Sequence, residues 1–534
     1  MKFDFKIITP MKSLNYLATL IVLIFFPVLV NAQTETVDLN MIYRIKQEGM
    51  KNSAIEELAF GLTDLSGSRL TGSPGLARGN EWAMKKMLEL GFQNVRIEEA
   101  ADFSQGGWDN LKTYAAMISP YYINFACNPV AWTGSTNGPV KAEVILLDVK
   151  TEEDLDKYKG KLSGKIVMMP STASYEVSFE PLATRYTDDE LKELSMAAVR
   201  PQGGRVPADW ANYMAQRALQ MKITGFLKSE GVAVILNNSG FFNVPRSASA
   251  SYKAGDPEPV PQLSIPVEAY GRMERLIAHS VRVEMEIEII NKFLGPQKVY
   301  NVIGEIPGTD KLLKNEVVLL GAHIDSWHGG TGAADNASGC VVMMEALRIL
   351  KNLDVAPRRT IRVALWGGEE QGLIGSRAYA DKFLADRETK AHKPDFDRFA
   401  AYFNMDNGTG KYRGIYTQEN DMVRPIFEEW LKPFADMGAA TVSGRNTGGT
   451  DHLSFDAYGL PAFQFIQDNI EYGRGFHSVM DTYERLLMND LRHNAIITAA
   501  FAYNAAMRNS KLPSKPAMKP ATNVKQPQMA PWMN

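Results

Sequence analysis

Cysteine is nearly absent: Cys127 and Cys340 are the only two in 534 residues. They lie far apart and in no CxxC-type spacing, which argues against a cysteine-ligated structural zinc, and two free, buried thiols are expected rather than a disulfide. Charge of one sign is lacking too. Lys and Arg number 58 against 61 Asp and Glu, a formal net charge of -3, so no basic surface calls for nucleic acid and no acidic run marks a solvated tail. Beyond the first 32 residues there is no long apolar run, and nothing reaches the ~20 residues that span a bilayer. There is no internal repeat. What remains is a globular composition, 45% hydrophobic and 22% charged, in a chain long enough for about three domains.

The N-terminus stands apart. Lys2, Lys6 and Lys12 precede the apolar stretch Leu17 to Val30, which contains Pro27 and ends in Val30-Asn31-Ala32. Basic residues, an apolar run of about 14 and small residues at a cleavage point are the order of a secretory signal over 1–32. The alternative, a membrane anchor, needs a longer run. The residue directly after the cleavage point is Gln33 and not Cys, so lipid attachment there is not expected. The mature chain is expected to be soluble, without stable membrane insertion, and periplasmic or secreted.

Residues 33–125 open with a helical stretch from Asp38 to Gly61, then the loop-like "LSGSRLTGSPG", then a helix in "LARGNEWAMKKMLELG" and a strand in "FQNVRIEEA". Residues 126–295 change texture: short apolar runs ("AEVILLD", "GKIVMMP", "GVAVILNN", "VRVEMEIEI") between polar loops read as an inserted β-rich unit. Residues 296–512 alternate apolar strands with amphipathic helices, which predicts an α/β domain with a mixed, mostly parallel central sheet covered by helices. The Pro-, Lys- and Gln-rich stretch 513–534 reads as a disordered tail.

In open α/β sheets the reactive site lies outside the carboxyl ends of the strands. His323 and Asp325 follow "EVVLLGA", Glu369 and Glu370 follow "RVALWGG", and Asp406 follows "AAYFNM". Asp335 precedes the helix "NASGCVVMMEAL", and His477 lies in the loop after "PAFQFIQ". Imidazole nitrogen and carboxylate oxygen suit a divalent ion such as zinc. Two such ions can share a bridging carboxylate and a water, with a further carboxylate taking that water's proton. The spacing of His323 and Asp325 adds that a ligating imidazole commonly gives its other N–H to a carboxylate.

Each residue has an ordinary alternative. A lone His at a strand end is usually satisfied by its neighbours, "GGEEQG" suits a helix N-terminus, Asp406 before Asn407-Gly408 suits a turn, and His477 suits a surface loop. The joint occurrence, each at a strand end, favours a site. His279, His392 and His493 show no partner pattern, and His328 lies close enough to His323 to line the site without being assigned as a ligand.

Together "GAHIDSWHGGTGAADNASG", "ALWGGEEQGLIGS", "NMDNGTG", "GGTDHLSF" and "GFHSVMDTYERL", with the early "GSRLTGSPG", resemble the co-catalytic zinc exopeptidases of the aminopeptidase and carboxypeptidase Q type, peptidase family M twenty-eight. The insert, through "LSGKIVMMP" and "SEGVAVILNN", is similar to a protease-associated domain. The resemblance implies two zinc ions: His323 and Asp406 on one, Glu370 and His477 on the other, Asp335 bridging, Glu369 as general base and Asp325 orienting His323. It implies short peptides as substrates, with aminopeptidase or dipeptidase cleavage ahead of carboxypeptidase action or other amide chemistry, such as N-acyl removal or glutaminyl cyclisation. It leaves room for a homodimer. A binding protein that kept the fold without the reaction is the non-enzymatic alternative. Phe476 stands where some relatives carry a Tyr that steadies the tetrahedral intermediate, which leaves Tyr472 or Arg474 as substitutes.

Overall fold

The computed structural model describes residues 35–515 apart from 172–176, 178, 198–209, 241–243 and 471. The signal-like segment and most of the C-terminal tail lie outside the described residues. Among the described residues no helix is long and apolar enough to cross a membrane.

The strands that carry the candidate site are short, apolar and central. Val317–His323 pairs in parallel with Thr360–Trp366 on one side and with Phe399–Asn404 on the other, and Phe399–Asn404 pairs in parallel with Ala462–Gln467. The flanking pairings are antiparallel, Tyr412–Tyr416 against Ala462–Gln467 and Glu284–Ile306 against Thr360–Trp366, with Thr441–Ser443 pairing in parallel beyond Tyr412–Tyr416. The sheet is therefore mixed with a parallel centre, as the strand–helix alternation implied.

Side chains alternate across it. Val318, Leu320, Ala322, Val363 and Phe403 pack into one core with the helices Leu39–Lys51, Ser338–Asn352 and Met488–Met507. Leu319, Ala364, Trp366 and Tyr402 face the opposite side, against Tyr379, Ala380 and Phe455 of Ile374–Phe383 and Leu453–Asp456. Burial on both faces explains why these strands read as continuous apolar runs. The helical stretch expected over 38–61 is broken: Leu39–Lys51 ends at Asn52, and Ile55–Phe60 restarts after Ser53, whose hydroxyl accepts from the Ile55 N–H. Short polar side chains of this kind compete for backbone hydrogen bonds and favour helix ends.

The insert differs from the β-rich expectation. Val140–Leu146, Ile166–Met168, Val234–Asn238 and Gln262–Ile265 form a parallel sheet, covered on one face by Val267–Ala278 and on the other by Trp210–Ser229. The long antiparallel strands Gln93–Ser119 and Glu284–Ile306 run from the peptidase part into the insert, so one hydrogen-bond ladder serves both. Cys340 is buried and Cys127 half-buried, both as free thiols.

Ser338–Asn352 is buried along nearly its whole length, charges included. Arg348 grips the Glu345 carboxylate through Nε (2.6 Å) and Nη2 (2.8 Å) and reaches Glu48 through Nη1 (2.8 Å). Arg348→Met is expected to strand the Glu345 carboxylate and cost about 3–5 kcal/mol of stability, read as a lowered urea midpoint. A loss under about 1 kcal/mol would mean that the buried pair is not what holds this helix.

Candidate metal centre and active site

The candidate side chains converge where the parallel strands stop. His323 terminates its strand, fully buried. Its Nδ1 lies 3.0 Å from the Asp325 carbonyl oxygen, and since a carbonyl only accepts, that contact puts a hydrogen on Nδ1. Nε2 then faces carboxylates, 3.2 Å from Asp335 Oδ1 and 3.7 Å from Asp406 Oδ1. Asp335 also reaches the second imidazole, with its Oδ2 3.2 Å from His477 Nε2, and Glu370 Oε2 lies 2.9 Å from that same nitrogen. His323 with Glu369 and Asp406, and His323 with Asp335 and Glu370, form two groups of donor atoms compact enough to hold an ion. The structure thus brings His323, Asp335, Glu369, Glu370, Asp406 and His477 together.

Asp325 does something the sequence did not suggest. The carbonyl, not the carboxylate, is the closer acceptor for His323; the carboxylate Oδ1 lies 3.7 Å from the ring. That carboxylate instead accepts the backbone N–H groups of Glu369 (3.1 Å) and Glu370 (3.2 Å), and the Thr71 hydroxyl (3.1 Å). One residue therefore fixes both the imidazole and the two neighbouring acids.

Asp481 plays a matching part for Asp335, its carboxylate accepting the N–H groups of Ala334 (2.6 Å) and Asp335 (3.0 Å). Arg69, wholly buried, donates to the carbonyls of Ile324, Leu62, Thr331 and Gly332, pinning the loop between His323 and Asp335. Gly321, two residues before His323, has no room for a side chain: an added Cβ would sit 2.3 Å from the Tyr402 hydroxyl and 2.6 Å from Trp366 Nε1.

The His477 loop is held from the insert. The Ser247 N–H donates to the His477 carbonyl (2.7 Å), and Arg246 donates to the Phe476 carbonyl from Nε (3.2 Å) and Nη2 (3.1 Å). His477 itself adopts φ 55°, a left-handed conformation that a non-glycine residue holds only when its surroundings impose it. The Phe476 ring stacks on the imidazole with centroids 3.5 Å apart. Of the two substitutes for the missing tyrosine hydroxyl, Tyr472 reaches the site: its hydroxyl donates to Asp406 Oδ1 at 3.3 Å.

His328 does not join. Its Nε2 bonds the Pro129 carbonyl at 2.6 Å and its ring lies edge-on to Trp108. His493 bonds the Tyr412 carbonyl, and His392 stacks on Phe396. Sequence reasoning missed Arg69, Thr71, Asp481 and the Arg246–Ser247 support. The first three lay in the quoted motifs, but nothing in their spacing told what they would bind.

The electrostatics are those of crowded acids. Burial, with Asp406, Asp451 and Glu370 adding repulsion against the opposing His323, pushes the Glu369 carboxyl up to about 11. Burial and Asp335 push Glu370 up to about 8. For His323, burial opposes charge, yet Asp406, Glu369, Asp325 and Asp335 together hold its pKa well above the ordinary value. His477 is raised to about 9 by Asp335 and Glu370 against the effect of burial. Glu370 Oε1 is buried with no hydrogen-bond partner among the described residues. Asp335 Oδ2 is buried without such a partner as well. Buried carboxylate oxygens around two imidazole Nε2 atoms, two of them orphaned, are the donor set of a cation site and fit zinc in chemistry. A cavity of about 550 Å³ opens onto Asp335, Glu369, Glu370, Asp406 and His477.

Residues 301–502 match the profile of Peptidase family M28. This part of the chain is a Peptidase family M28 domain. Carboxypeptidase Q of Mus musculus is 25% identical over 468 residues, covering 87% of each chain. Leupeptin-inactivating enzyme 1 of Streptomyces exfoliatus is 30% identical over 164 residues, 30% of this chain and 34% of that one. Among solved structures, the Peptidase M28 precursor from Shewanella amazonensis superposes with a TM-score of 0.64 at 23% identity, covering 89% of this chain and 98% of that one. The zinc aminopeptidase BSAP from Bacillus subtilis superposes with a TM-score of 0.52 at 19% identity, covering 85% and 95%. These likenesses show the fold.

Because Asp325 satisfies two buried N–H groups and a hydroxyl, Asp325→Ala is expected to cost about 3 kcal/mol or more in chemical denaturation, while Asp325→Asn, which keeps one carbonyl acceptor, costs less. Equal stability of Asp325→Ala and the parent would show that these bonds carry no weight.

Proposed function

We propose that this protein is an exported zinc-dependent exopeptidase that hydrolyses terminal peptide bonds of short peptides, with two ions held by His323, Asp406, Glu370 and His477 and bridged by Asp335. The observation that supports this best is Asp335 itself: one carboxylate within 3.2 Å of both His323 Nε2 and His477 Nε2, at the floor of a cavity lined by further acids. The family membership and the Carboxypeptidase Q and aminopeptidase relatives agree with it.

When bound, such ions supply the Lewis acidity that brings a water's pKa toward ~7 and offsets charge on the substrate oxygen. Everything else falls to the chain. Glu369 lies beside the ligands without the imidazole contact that Glu370 makes, and takes the proton of the attacking water, then passes it to the leaving amine. Positive charge in the cluster favours the ionised Glu369 that this role needs, against the burial that otherwise protonates it. Asp325 and Asp481 hold the backbone of Glu369, Glu370 and Asp335 at fixed positions, so little reorganisation accompanies reaction. The Tyr472 hydroxyl, beside Asp406, is the donor available to the tetrahedral oxygen in place of Phe476. Leu373, Leu453 and Phe476 give the cavity its apolar wall. The insert, a protease-associated-like unit in this reading, supports the active site by holding the backbone of the His477 loop through Arg246 and Ser247.

Two measurements test this. Metal analysis is expected to give about two zincs per chain, with chelator abolishing cleavage of free-amine dipeptides; a chain that purifies without zinc and still cleaves would sink the assignment. Glu369→Gln is expected to keep its metal and lose roughly 10²–10⁴-fold in kcat. Normal turnover in that variant would remove Glu369 from the mechanism.

A further inference from the structure

The cavity over the candidate site is acidic except at one wall. Asp335, Glu369, Glu370 and Asp406 line it, and Arg377 is the one guanidinium or ammonium group among its described lining residues. Arg377 projects from the helix Ile374–Phe383, which starts a few residues beyond Glu370 in the chain. It also lines a second hollow of about 320 Å³, which shares Leu373 and Leu453 with the first and adds Arg387 and Lys390.

Neither acid of that second hollow contacts the Arg377 guanidinium directly. Asp381 accepts from the Tyr458 hydroxyl at 2.7 Å, and Asp456 pairs with Lys515 at 2.6 Å. The Arg377 guanidinium makes no hydrogen bond or ion pair with a described residue; burial and the nearby Arg387 disfavour its charge, while Asp451, Asp381 and Glu369 favour it from further off. A guanidinium that no carboxylate of the described residues contacts directly, with a second guanidinium nearby, is free to take a bidentate anion from a ligand. The two hollows adjoin at Arg377, which lines both. A short peptide bound at the acid cluster carries a carboxylate at its far end, and Arg377 is the side-chain cation on the wall of that cavity.

We propose that Arg377 receives the C-terminal carboxylate of the substrate, restricting the enzyme to short peptides with a free carboxyl end. This rests on the exopeptidase function proposed above. Arg377 is a specificity-determining residue: it touches the substrate away from the scissile bond, so its loss weakens binding of free-acid substrates and leaves the chemical step intact.

The test compares alanyl-leucine with alanyl-leucine amide, which differ only in that carboxylate. With zinc-loaded enzyme, Arg377→Met is expected to raise KM for the free dipeptide roughly 10–100-fold, with kcat and the kinetics on the amide unchanged, and Arg377→Lys is expected to recover part of the loss. Binding is read separately by calorimetry on zinc-loaded Glu369→Gln protein, which should prefer the free acid over the amide until Arg377→Met is added. Equal weakening for both ligands, an unchanged preference for the acid, or binding of neither overturns the carboxylate role. Binding with the expected preference but no turnover in the parent enzyme instead overturns the exopeptidase function and leaves the carboxylate site standing.

Discussion

Negative charge that must be buried is the constraint around which this molecule is arranged. Asp335 sits between two imidazoles with almost no solvent, while Glu369, Glu370 and Asp406 press on the same small volume. Isolated carboxylates in such a place would protonate, and the upward shifts of Glu369 and Glu370 through burial express that tendency. The surrounding protein answers with dipoles and donors. Asp325 and Asp481 take up backbone N–H groups, Arg69 takes up backbone carbonyls, and the acids are left aimed at one another with a cation as the natural counterpart. Keeping this cluster assembled requires a rigid frame, and the doubly covered sheet is that frame.

The frame also explains the role of the insert. A lid that merely covered a cleft would need no bonds to the ligand loop. Here the Arg246–Ser247 segment holds the carbonyls of Phe476 and His477, and His477 keeps a left-handed backbone under that hold. The shared ladder of Gln93–Ser119 with Glu284–Ile306 ties the insert to the strand next to Thr360–Trp366. Peptidase part and insert are therefore joined by hydrogen bonds to the backbone at both the ladder and the His477 loop.

Much of this was legible in the chain. Buried parallel strands need unbroken apolar runs, and the polar residue that ends each run stands at the sheet's carboxyl edge, so His323, Glu369, Glu370 and Asp406 could be placed by pattern alone. Their identity as nitrogen and oxygen donors pointed to a divalent ion. The insert was harder. Trp210–Ser229 carries apolar residues without a clean stripe, and the strands beside it are too short to show a period, so the region read as β-rich when it is a small helix-covered parallel sheet.

By itself the sequence determined the fold class of the part that carries the site and the set of acids and imidazoles, because burial and donor chemistry are properties of residue type and local spacing. Only the tertiary structure decided what holds that set in place. Arg69 reaches Ile324 across 255 residues, Thr71 reaches Asp325 across 254, and Asp481 reaches Asp335 across 146, each by a hydrogen bond whose partner is a backbone group or a single carboxylate oxygen. Backbone groups carry no residue identity, so such bonds leave no mark on composition or periodicity. They exist only once packing has brought the strand ends together.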